Sequence, residues 1–363
     1  MAQAGCRLIA NPVGRSAMFL RALVMESHYW MKVLRQIRQT FETAPPDVVI
    51  PIDSSAINLQ IAAVAKKHKL PVCYYVAPQI WASRPWRIKK LRLWVDTLCC
   101  VLPFEEAYFR ERNVNALYVG HPMFDVPADA EGSDPALRGE GEGGGEAPHG
   151  NAGLELAPRI AIFPGSRRAE IDAHMQPMLE ILSEIKGRFP TAHFIAVAPS
   201  EERAWQIRRH LRNANTPVEI RVADSAGGEG GGGTATTDAT IRWADLVLTK
   251  SGTATLQIAR QHKPMVVIFS VEWWKWHLFA KFFITTRFIA LVNILAGRQI
   301  VPEFIPFYGS PLPVARKCIE LLNNPAMRED ISQQLADLVK PLHPREGILA
   351  ADRVAAEVAR LMQ

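Results

Sequence analysis

Two arginines close the stretch FPGSRRAE (Phe163 to Glu170), directly after the apolar run RIAIF. The run has the composition of a strand. Beyond the arginines, Met178, Ile181, Leu182 and Ile185 recur at helical spacing. Arg167 and Arg168 therefore belong to a strand-to-helix turn, the place where open α/β sheets put ligands. A guanidinium beside free helix N–H groups holds an anion; the alternative is a solvated turn whose arginines serve solubility. A second such turn follows in LTKSGTATLQ, where Ser251, Gly252 and Thr253 stand between a strand and a helix. Ser251 is expected to cap that helix, and Gly252 lets a ligand approach the backbone. The two turns together can hold a diphosphate. No G-x-x-x-x-G-K-[ST] occurs, and no G-x-G-x-x-G stands at a strand-to-helix turn, which disfavours a P-loop and an ordinary nicotinamide site.

Asp53 ends VVIPID and can take a proton from an attacking hydroxyl, or can cap the helix that begins in DSSAINL. His121, in YVGHP, is either a hydrogen-bond donor to a ligand or a structural turn residue. Neither a D-x-D nor a His/Cys cluster with metal spacing is present, so no tightly held metal is expected. The segment VEWWKWHLFAKFFITTRFIALVNILAGRQIVPE sets Trp273, Trp274, Trp276, Phe279, Phe282 and Phe283 among Lys275, Lys281 and Arg287. Such a mixture suits a lipid headgroup layer or a buried interface, and its charges exclude a clean membrane span.

The elements that must position these residues alternate. A helix is expected from Phe19 to Phe41, then a buried strand in PPDVVIPID, a helix from Asn58 to Leu70 and a strand in PVCYYVAP. The basic segment WRIKKLRLWV, the strand DTLCCVLPF, a short helix and NALYVGHP complete a first α/β half. The pattern dissolves in a glycine-rich stretch near 126–158, then resumes as RIAIF, AHFIAVAP, VEIRVA, ADLVLTKSG and PMVVIFS with helices between. A second glycine-rich insert near 226–238 has the composition of a disordered loop. Over 363 residues, 48% apolar and 21% charged content fits a soluble chain of two domains. The net charge of +6 suits anionic ligands or an anionic membrane, and no zinc-finger, RNA-binding or long basic pattern points to nucleic acid. Five cysteines without a C-x-x-C imply a reducing compartment, with Cys99 and Cys100 as core residues.

PPDVVIPIDSSAIN, YYVAPQIWASRPWRIKKL, VLPFEEAYF, YVGHPMFD, FPGSRRAEI, LVLTKSGTATLQIA, KPMVV and VNILAGRQIVPE occur in that order. The chain thereby resembles the lipid-A-disaccharide synthase family of GT-B glycosyltransferases. The resemblance implies two tandem Rossmann-like domains facing a cleft. Residues 1–155 would be an acceptor-side domain, 156–345 a UDP-sugar-binding domain, and 346–363 a C-terminal helix packing back on the first. It implies transfer of 2,3-diacylglucosamine from UDP to 2,3-diacylglucosamine 1-phosphate, giving a β-1,6 disaccharide, with UDP-sugar as substrate and no cofactor. Asp53 matches the family's required aspartate, Asn58 its nearby asparagine, and Arg167 the arginine associated with the UDP sugar. Ser251, Gly252 and Thr253 match the turn near the nucleotide phosphates, while Asn293, Gly297, Arg298 and Glu303 match a segment lining the donor site.

The implied location is the inner face of the inner membrane, as a peripheral protein on an anionic surface, with homodimer formation left open. Family members begin with a strand and an AGExSGDxxG-type loop that this sequence lacks, so the first domain is expected to be N-terminally shortened. IDxPxFN is IDSSAIN here, and WAWR is WASR. Two alternatives stay open: another UDP-sugar enzyme, such as a 2-epimerase or a different GT-B transferase, and a non-catalytic UDP-binding relic at the membrane.

Overall fold

The computed structural model describes residue 6 and residues 20–125, 157–223, 232–270, 286–307, 309–344 and 347–363. The expected linker falls outside them from 126 to 156, as do the insert from 224 to 231 and the aromatic-basic run from 271 to 285. The chain divides into two compact units. One comprises Met1–Gly120 with Glu346–Gln363, the other His121–Arg345.

The first unit carries a parallel sheet in the order β1 (Cys73–Tyr75), β2 (Thr97–Cys100), β3 (Ala116–Tyr118). Cys73, Cys99 and Val119 form a buried cluster against Val354, Val358 and Leu361 of the last helix, Ala350–Leu361. Cys99 and Cys100 are core residues, as their apolar neighbours predict. The expected buried strand before Asp53 is a correction. Only Val49 and Ile52 bridge to the sheet, at Val72 and Tyr75, and Ile50 and Ile52 are 40% and 43% exposed. The cause is Pro51. Val49 and Asp53 donate their N–H groups to the carbonyls of Pro71 and Tyr75, but Pro51 between them has none to give, so one rung of the ladder is missing.

At the other end of the first half, Glu105 ties two of the quoted stretches together. Its carboxylate accepts from Trp81 Nε1 at 2.9 Å and from the N–H groups of Val101 and Leu102. Burial pushes its pKa up to about 7, against the lowering effect of those three donors.

The second unit is a parallel sheet of six strands among the described residues. In chain order they are β4 (Arg159–Phe163), β5 (His193–Ala198), β6 (Glu219–Val222), β7 (Leu246–Lys250), β8 (Met265–Ser270) and β9 (Glu303–Phe307). They lie side by side as β6-β5-β4-β7-β8-β9. This is the doubly wound order, whose direction of winding reverses between β4 and β7. Both turns singled out in the sequence leave the carboxyl ends of these two strands. Helix Arg168–Arg188 follows β4 and buries Met178, Ile181, Leu182 and Ile185 completely, the face its spacing predicts.

The insert near 226–238 needs correcting in its second part, because Gly232–Trp243 is a helix. Up to residue 240 its sequence has only small and polar side chains, yet Thr237, Asp238 and Thr240 are buried, and Ile241 beyond them is fully buried. Asp238 has partners there: Gln257 Nε2 donates to it at 3.0 Å, and the buried Arg260 pairs with its other oxygen. A helix whose first two turns carry only small and polar side chains looks like a loop by composition.

Candidate functional site

The site is built by the two turns at the β4/β7 switch point. After β4 the chain reaches Gly165 at φ +123°, a left-handed conformation that favours glycine. A Cβ there would lie 2.7 Å from Cβ of Glu170. Glu170, third residue of the helix Arg168–Arg188, folds back over this turn. Its Oε2 accepts from the N–H groups of Ser166 and Arg167 at 3.1 and 3.3 Å. Its Oε1 accepts from Arg167 Nη1 at 3.2 Å and from Lys250 Nζ at 3.0 Å. One carboxylate thus fastens the first turn and ties it to the last residue of β7. Burial alone would raise the Glu170 pKa. The Lys250 ammonium, with the Arg167 and Ser166 amides, outweighs that effect and holds it below the usual range.

A cavity of about 450 Å³ opens between the turns, walled by Gly165, Arg167, Glu170, Lys250, Gly252 and Thr253 among others. Arg167 is 59% exposed and Lys250 16% exposed, so two cations face the space against a single carboxylate. Backbone N–H groups at the start of the following helix, Ala254–Arg260, add to the attraction for an anion. A larger cavity, about 630 Å³, lies at the opposite edge of the same sheet. There Arg159 is paired with Asp245, and Lys186 is bound to the Ala192 carbonyl. The smaller cavity lies between the two strand-end turns at the switch point, where parallel sheets place ligands, and has two cations to one carboxylate, so it has the better placement for a diphosphate.

Not every residue expected at this site reaches the cavity. Arg167, Gly252 and Thr253 are on its wall. Ser251 is not the helix cap, which is a correction: Thr253 occupies the N-cap position, and Ser251 Oγ donates to Ile289 O at 3.2 Å. Ile289 N and Ala290 N donate to the Glu303 carboxylate, which also accepts from Asn293 Nδ2 at 3.0 Å. Asn293, fully buried, further accepts from the N–H groups of Ile300 and Val301. Ser251, Glu303 and Asn293 therefore brace the segment around Ile289 from behind the wall. Gly297, at φ +66°, stops the helix Leu291–Ala296, and Arg298 is exposed and donates to Gln334.

His121 lies in the second unit. Its Nδ1 accepts from Met123 N at 3.2 Å, which puts the proton of the neutral ring on Nε2. Burial lowers its pKa to about 4, against the opposing charge of Asp125, so the ring is neutral at pH 7.

Asp53 and Asn58 are in the first unit. Asp53 is exposed at φ +53°, and Ser54 follows at φ +24°, two consecutive residues in a sparsely populated backbone region. The turn is held from two sides: Asn58 Nδ2 and the Tyr74 hydroxyl both donate to Asp53 O. The carboxylate itself has no hydrogen-bond or ion-pair partner among the described residues.

Sequence reasoning overlooked Glu170, Lys250 and Tyr74. Glu170 carried a signal, an acid three residues beyond the N-cap, the spacing that lets a side chain reach back to the helix start. Lys250 stood in plain view beside Ser251 but had no partner in sequence to mark it.

The lipid-A-disaccharide synthetase family model matches residues 1–358. The chain belongs to that family. The lipid-A-disaccharide synthase of Anaeromyxobacter sp. (strain K) is 32% identical over 360 residues, covering 97% of this chain and 87% of the relative. That of Coxiella burnetii (strain CbuK_Q154) is 30% identical over 363 residues, covering 100% and 88%. Among solved structures, a UDP-GlcNAc 2-epimerase from Neisseria meningitidis bound to UDP-GlcNAc superposes with a TM-score of 0.58 at 10% identity, over 98% of this chain and 84% of its own. An S. aureus MnaA–UDP co-structure gives 0.60 at 11% identity, over 92% and 80%. At such identities the likeness is one of fold. This lipid-A-disaccharide synthase family member is thus an enzyme of the UDP-sugar-acting, GT-B glycosyltransferase type.

Proposed function

We propose that this enzyme transfers 2,3-diacylglucosamine from UDP to the 6-hydroxyl of 2,3-diacylglucosamine 1-phosphate, forming the β-1,6 disaccharide. The observation that carries the reading is the cationic cavity at the β4/β7 switch point of a chain of this family. In this scheme the second unit holds the donor and the first holds the acceptor. Arg167, Lys250 and the amides of the Gly252 turn take up the charge of the departing diphosphate. Ser251, Asn293 and Glu303 keep the donor loop in shape, with Gly297 and Arg298 at its end. Asp53 removes the proton from the acceptor hydroxyl as the new O6–C1 bond forms and the C1–O bond to UDP breaks, with inversion at C1. Asn58 fixes the Asp53 turn, and the Nε2–H of His121 is offered to a bound substrate. Direct assay with synthetic acylated donor and acceptor tests the reaction as a whole; a parent chain that binds UDP and never transfers sugar supports the relic reading.

For the nucleotide, Arg167→Ala is expected to weaken UDP binding by about 1.5–3 kcal/mol, the usual loss for a hydrogen bond to a charged group. Calorimetry that finds equal affinity in variant and parent removes Arg167 from the site.

The enzyme is further proposed to work as a peripheral protein at an anionic membrane face. No helix among the described residues is long and apolar enough to cross a membrane. The run Trp273 to Phe283 supplies aromatics and cations suited to a headgroup layer. Replacing Trp273, Trp274 and Trp276 by serine should abolish co-sedimentation with anionic liposomes, and parent binding should fall as salt rises. Unchanged sedimentation reassigns the run to core or subunit packing.

A further inference from the structure

Arg84 of the first unit precedes, and Arg87 ends, a single 3-10 turn, Pro85–Arg87, closed by Arg87 N donating to Arg84 O at 3.1 Å. Side chains three residues apart nearly eclipse on such a turn. Burial first, and then the charge of Arg84, lower the Arg87 pKa. Among the described residues no carboxylate pairs with either of them. The segment from Arg84 to Val95 holds five cations and no acid. Arg84 also occupies φ +58°, a conformation unfavourable for a residue with a Cβ.

This cationic turn sits beside the Asp53 turn. Arg87 Nη1 donates to Ser55 Oγ at 2.9 Å, two residues beyond Asp53. The Tyr74 hydroxyl, bound to the Asp53 carbonyl, lies within the electrostatic reach of both Asp53 and Arg87. Asp53 and Arg87 thus act on one hydroxyl from neighbouring turns, with Arg84 three residues before Arg87.

We infer that Arg84 and Arg87 form a binding site for a phosphomonoester, and that its ligand is the phosphate of the acylated sugar acceptor. The inference rests on the transferase reading, with Asp53 at the acceptor's 6-hydroxyl. The chemistry of the acceptor demands such a neighbourhood. In a hexose 1-phosphate, the carbon bearing the phosphate and the carbon bearing the hydroxymethyl group are both bonded to the ring oxygen. The phosphate and the 6-hydroxyl therefore project from one edge of the ring, and the cations for one must stand near the base for the other. Two oxygens of the dianion can meet two planar guanidiniums, the geometry arginine favours. On the same segment Trp86 and Leu93 are 56% and 68% exposed. Exposed apolar side chains beside the arginines suit a phosphate that arrives with hydrocarbon attached, more than a soluble phosphate.

The test compares phosphorylated and dephosphorylated short-chain acceptors, in detergent without phospholipid, for the parent enzyme, Arg84→Gln, Arg87→Gln and the double variant. Each single variant should raise KM for the phosphorylated acceptor roughly ten- to a hundredfold, with kcat and UDP affinity little changed. In the double variant the preference for the phosphorylated acceptor should vanish. Variants that keep the parent's preference overturn the inference and leave the transferase reading standing. Equilibrium binding of the two acceptors is measured alongside. A parent that transfers nothing, yet binds the phosphorylated acceptor in an arginine-dependent way, supports the site and removes the transferase. Anionic vesicles form the last arm: loss of vesicle binding with acceptor preference intact assigns the arginines to lipid headgroups and overturns the inference.

Discussion

Asp53→Asn is expected to lower disaccharide formation by at least about a hundredfold, while the fold and UDP affinity persist. A sugar hydroxyl is a poor nucleophile until its proton is removed, and a positioned general base contributes roughly 10²–10⁴-fold in rate. Asparagine keeps the volume and hydrogen-bonding capacity of the side chain but is a far weaker base. The fold should tolerate it for a structural reason. Asn58 and Tyr74 grip the backbone carbonyl of residue 53, leaving its carboxylate without a partner among the described residues. Asparagine also accepts positive φ better than most residues do. Initial rates with acylated donor and acceptor, together with UDP calorimetry and a melting curve, check the three claims separately. A folded variant that turns over at the parent rate eliminates Asp53 as the base. Loss of UDP affinity would show instead that the substitution disturbs more than the acceptor side.

A second large effect is expected on stability rather than on the chemical step. Asp238→Ala should destabilise the second unit by about 3–5 kcal/mol, because it leaves a charge buried without its partner. The side chains of Asp238 and Arg260 are 0% and 4% exposed, and the same carboxylate holds Gln257, a residue of the cavity wall. Arg260 Nη1 also donates to Met123 O at 2.7 Å, so its misplacement would loosen the GHPMF stretch. Adding Arg260→Met should recover much of the loss, since removing both charges avoids the unpaired one. Urea denaturation of the three proteins measures this. A loss below about 1 kcal/mol in the single variant, or no recovery in the double, contradicts a buried pair.

The comparison of sequence and structure divides along a physical line. Where burial follows a period, the sequence was readable: the apolar run of β4 and the stripe Met178, Ile181, Leu182, Ile185 lie where spacing puts them. The two strand-end turns were readable for the same reason, since each follows a strand legible by composition. Ser251 was misread because a serine before a helix has two competing uses, and a carbonyl 38 residues away claimed its hydroxyl. Glu303 and Asn293 entered only as family matches to a donor-site segment, and the bonds they make to backbone N–H groups and to each other are visible only in the folded loop. The helix Gly232–Trp243 was hidden because its buried Asp238 is matched by Arg260, a contact made across 22 positions. Pro51 was visible all along, but its effect required knowing that residue 51 lies opposite Cys73 and lacks the N–H for that rung.

The last helix has a practical consequence for anyone who would take the molecule apart. Residues 121–345 form one unbroken stretch of chain, so the second unit can be cut out as a single fragment. The other unit cannot. Cut out as 1–120, it would lose Val354, Val358 and Leu361, and the buried face of Cys73, Cys99 and Val119 would meet water. Such a fragment should precipitate unless the peptide 346–363 is supplied in trans or stitched on through a short linker after residue 120.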